Sequence, residues 1–180
     1  MGWMLKVGDL LTRYTGGASA GAATGAAPAP DVHQHFDQVA AAAPTSVIAE
    51  GLAAAFRSDQ TPAFGQMLTT LFNNSSGEQK AGLLNQLMGS MNPAMLSQVL
   101  GGAGLGSLLA AGGGKVTPEQ AQNISPDAMQ QIAAHAEKTN PSIVDSVSSF
   151  YAQHTTLVKT LGGAALSVAL AKVAQHQQKA

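Results

Sequence analysis

The side chains best suited to hold a metal or move a proton are the five histidines, two of which, His33 and His35, stand beside Asp31 and Asp37. A separation of two directs His33 and His35 to different faces of a helix, so they would share one ion only on an extended backbone. The four-residue intervals Asp31 to His35 and His33 to Asp37 suit pairs on a helical surface instead. A zinc site also needs a third and usually a fourth ligand. The remaining candidates, His135, His154 and His176, are each isolated in the chain. His33 and His35 are therefore the only metal candidates, and the sequence leads us to expect no metal and no cofactor.

The glycine-rich stretches invite a phosphate-loop reading and fail its requirements. Gly102-Ala103-Gly104-Leu105-Gly106 has neither a preceding strand nor the glycine spacing of a dinucleotide loop. Gly114-Lys115 is followed by Val116, where a phosphate loop needs Ser or Thr to hold Mg²⁺. Both stretches read as hinges or helix ends. No GxSxG nucleophile elbow and no HExxH occurs, and the ten acids are scattered singly. No catalytic residue is assigned, and the expected class is non-enzymatic.

Composition explains what the elements around these residues can do. The 18 Leu, 11 Val, 4 Ile and 5 Phe make up about a fifth of the chain, while 33 residues are alanine. That bulky fraction lies near the level of about 20% below which chains stay disordered, but disorder also calls for high net charge, and here the net charge is −1. The expectation is a folded protein with a thin core, held by close helix approach through Ala and Gly or by a partner. Charged residues are only 11% of the chain, against about 25% in typical soluble domains. So few charges favour self-association or docking, and the absence of a basic excess argues against nucleic acid. Without cysteine there is no disulfide or thiol chemistry. No apolar run reaches the ~18 residues of a membrane span, so the expected location is cytoplasmic or membrane-peripheral.

Five pairs of a capping residue and a proline punctuate the chain: Thr61-Pro62, Asn92-Pro93, Thr117-Pro118, Ser125-Pro126 and Asn140-Pro141. Proline fits the first helical position, where its missing N–H would be unsatisfied anyway, and the preceding oxygen caps the free N–H groups. Ser76 and Gln79, and Thr117 and Gln120, add capping-box spacing. Asp31 reads as a cap for a helix carrying Val32, Phe36 and Val39, and Pro44 ends that helix before a restart at Thr45 or Ser46. The pattern of two apolar residues, two others and two apolar residues occurs at 67–72, 83–88 and 95–100. The expected fold is all-α, an irregular bundle of about seven to nine short helices with a tethered N-terminal amphipathic helix.

Residues 1–14 form that helix, with Trp3, Met4, Val7, Leu10, Leu11 and Tyr14 on one stripe as a docking face for protein, membrane or the chain's own core. An Ala/Gly/Pro linker follows at 15–30, then a Leu/Met-rich helical region at 31–111, a Gly-rich hinge at 112–116 and a C-terminal helical region at 117–180. The last helix, expected over 155–177, carries small residues four apart. Leu161, Gly163, Ala165 and Val168 on it are the second set of interaction candidates.

The stretches GLLNQLMG (82–89) and VTPEQAQNISPDAMQQIAAHAEKTNPSIVDSV (116–147) resemble the YidB-like bacterial proteins. The resemblance covers up to half of the chain, rests on caps and amphipathic helices, and implies a helical domain with a Leu/Gly-rich start. That family has no established activity, so no site residue carries over. The expected function is a helical interaction or scaffold protein whose partner is another protein, a homo-oligomer, or both. The alternative is a membrane-facing accessory subunit of a larger complex, in peripheral contact with the bilayer, or a carrier sheltering an apolar ligand.

Overall fold

The computed structural model describes residues 7–11, 31–102, 106 and 114–179, and among these the fold is all-α, with no strand. Residues 7–11 are helical. The remaining elements are α1 (Val32–Ala42), α2 (Thr45–Phe56), α3 (Phe64–Asn74), α4 (Gly77–Gly89), α5 (Pro93–Gly102), α6 (Pro118–Gln122), α7 (Pro126–Thr139), α8 (Ile143–Ala152), α9 (Thr155–Val158) with a 3₁₀ turn at Lys159–Leu161, and α10 (Gly163–Lys179). The linker expected at 15–30 lies outside the described residues.

Four of the helix starts follow the local chemistry. The Ser76 hydroxyl accepts the Gln79 N–H while the Gln79 side chain accepts the Ser76 N–H, and Thr117 and Gln120 repeat this exchange. Ser125 accepts from the Ala128 N–H at 3.2 Å and Asn92 from the Met95 N–H at 2.9 Å, each with proline at the first helical position. These oxygens satisfy N–H groups that have no partner inside the helix.

Four local readings need correction. Thr61-Pro62 does not open a helix: the Thr61 hydroxyl donates back to the Ser58 carbonyl at 2.9 Å, and α3 begins at Phe64. Asp31 precedes α1 without a side-chain cap bond. The continuous helix expected over 155–177 is broken at Gly162, whose φ of 89° and ψ of 169° are open essentially to glycine alone. A similar shift occurs at Asn140-Pro141, where a turn intervenes and α8 starts at Ile143.

Packing divides the chain into two compact units. Unit 1 comprises the described residues of Met1–Ala63 and Ser148–Ala180; unit 2 is Phe64–Val147. This differs from a division at Gly112–Val116, because α3 and α4 pack with α7 and α6 from the far side of that glycine cluster.

In unit 1, α10 packs against α2 and α1. Phe36, Ile48, Leu52, Phe56, Leu166 and Leu170 are all buried there. The α2–α10 approach is close enough that a Cβ built on Gly51 would lie 2.8 Å from the Ala169 carbonyl oxygen and 3.0 Å from Val173 Cγ2. Polar pairs lie at the rim: Lys159 Nζ to Asp37 Oδ2 at 3.1 Å and His176 Nδ1 to Glu50 Oε2 at 2.9 Å. Such exposed pairs add little to stability.

In unit 2, α3 packs on α7 and α4 on α6. Phe64, Met67, Leu68, Leu71 and Phe72 of α3 are buried, as are Met129, Ile132, Ala133 and Ala136 of α7. Gly65 repeats the device of Gly51, since a Cβ there would meet the Gln130 carbonyl oxygen at 3.1 Å. Asn85 fixes the chain entering α6: its amide donates to the Val116 carbonyl at 3.1 Å and accepts the Val116 N–H at 2.8 Å.

Two contrasts test this account by chemical denaturation. Ser125→Ala is expected to cost about 1 kcal/mol through loss of its cap, and Asp31→Ala distinctly less. Gly51→Ala is expected to destabilise by about 1–3 kcal/mol, since a backbone oxygen blocks the new methyl. Gly89→Ala, which meets no atom within 4 Å, is expected to be neutral or to gain up to about 1 kcal/mol.

Candidate interaction surface

The expected interaction residues distribute unevenly. Val7 and Leu11 are buried and Leu10 is half-buried, so the described part of the N-terminal helix has its apolar stripe covered by the chain itself. Trp3, Met4 and Tyr14 lie outside the described residues. On the C-terminal element, Ala165 is buried, whereas Leu161, Gly163 and Val168 are half-buried. Ala165 and Ala169 belong to the face of α10 that also buries Leu166 and Leu170, and Ala169 is the residue met by Gly51. The small-residue face thus contributes to packing inside unit 1.

His33 is exposed and His35 half-buried on α1, and among the described residues no three His, Asp or Glu side chains gather in a metal-holding group. Among the described residues no helix is long and apolar enough to cross a membrane.

Among the described residues, an incompletely covered apolar face lies on α5 in unit 2. The three copies of the repeated apolar pattern permit a direct comparison. In α3, all four apolar residues of 67–72 (Met67, Leu68, Leu71 and Phe72) are buried. In α4, Leu83, Leu84, Leu87 and Met88 are buried too. In α5, only Leu100 is buried, while Met95, Leu96 and Val99 remain half-buried. Met95 and Val99 are four apart and therefore neighbours on the helix surface, with Leu96 beside them.

The electrostatic setting of α5 reinforces the contrast. Residues 81–114 contain no Asp, Glu, Lys or Arg at all. α5 itself offers a partner group no charge to pair with, so a partner charge buried against its side chains alone would be left uncompensated. The signal of this face was present in the sequence as the charge gap, but the apolar spacing of 95–100 is the same as that of two buried helices and does not reveal its exposure.

One polar group in unit 2 is at odds with its surroundings. The Nε2 atom of His135 on α7 is buried without a hydrogen-bond partner. A buried polar atom left in this state carries an unrecovered desolvation cost, which an apolar replacement removes. His135→Leu is therefore expected to be neutral or stabilising by about 1 kcal/mol in urea denaturation; a loss above about 2 kcal/mol would mean that Nε2 holds a partner essential to the fold.

Searches against family models, curated proteins and solved structures matched this chain to none of them.

Proposed function

We propose that this chain is a non-enzymatic helical interaction protein, which self-associates or docks onto a larger assembly through the α5 face. The observation that carries the reading is the half-buried state of Met95, Leu96 and Val99, set against the full burial of the same pattern in α3 and α4. Completing the burial of three such side chains is favourable by roughly 0.5 kcal/mol each, at most about a third of the full burial value. A ten-residue helix is about 15 Å long. One helix pair of that length buries much less than the ~1,200 Å² of a stable interface. Contact through α5 alone is accordingly weak and concentration-dependent. The resemblance to the YidB-like proteins belongs to the same proposal, since its two stretches fall on α4 and on α6 to α8, the helices around this face in sequence.

Multi-angle light scattering from micromolar to millimolar protein provides the test. The mean mass is expected to rise with concentration. The double variant Met95→Glu and Val99→Glu should retain the helical circular dichroism spectrum and stay monomeric over the same range, because each carboxylate would have to be desolvated without a partner. A wild-type protein that stays monomeric throughout, or a double variant that associates as well as the wild type, would overturn self-association through α5.

A further inference from the structure

We draw no further inference here: the strongest candidate, the half-buried face of Met95, Leu96 and Val99 on α5, belongs to the surface already described, and nothing in the structure shows which partner covers it.

Discussion

Gly51 lies so close to α10 that a single methyl group would meet the Ala169 carbonyl oxygen, and much of the fold follows from that proximity. A chain in which alanine outnumbers leucine by 33 to 18 cannot fill wide spaces between helices with large side chains. Dispersion contacts fall off steeply with distance, so a thin core is cohesive only if the backbones themselves come close. Gly51 against Ala169 in unit 1 and Gly65 against Gln130 in unit 2 are two instances of one solution. Four of the five phenylalanines, Phe36, Phe56, Phe64 and Phe72, are buried.

Local chemistry was legible in the sequence where a helix start depends on a short-range bond. Ser76, Asn92, Thr117 and Ser125 each cap as their spacing indicates, because donor and acceptor are three residues apart and need nothing from the rest of the fold. Asp31 and Thr61 have the same chemistry but different outcomes. The Thr61 hydroxyl has a competing acceptor in the preceding turn, and the backbone at Asp31 (φ −94°, ψ 1°) departs from the extended geometry of the working caps. Gly162 illustrates the converse. A glycine within an apolar run is tolerated in a helix, so the run alone did not disclose that Gly162 takes up a backbone conformation closed to other residues.

The division into units was not legible, and the reason is physical. A glycine cluster marks where a chain can bend, but compact units are set by which apolar stripes find each other. The stripe of α3 finds its complement in α7, more than fifty residues later, and α4 finds α6 across the same excursion. Nothing in either stripe names its mate, since α3 is written in Phe, Met and Leu and α7 in Met, Ile and Ala, all apolar and none specific for another. The same degeneracy hides the α5 face: spacing fixes which residues share a side of a helix, while the number of helices available to cover that side is a property of the whole fold.

Core and proposed contact surface are therefore made of one material, and this bears on how a partner would be selected. Charge steering and complementary ion pairs, the usual sources of discrimination, have no foothold in 81–114. What remains is shape and the penalty on anything charged that would be buried there. Contact of this kind is driven by removal of apolar surface from water, so screening by simple salt has little to act upon and excluded salts such as sulfate favour it. Selectivity at the proposed surface would then depend on how well a partner's side chains fit against Met95, Leu96 and Val99. The proposed α5 face is built of Met95, Leu96 and Val99 and not of glycine, so a partner there would meet bulky side chains instead of a bare backbone.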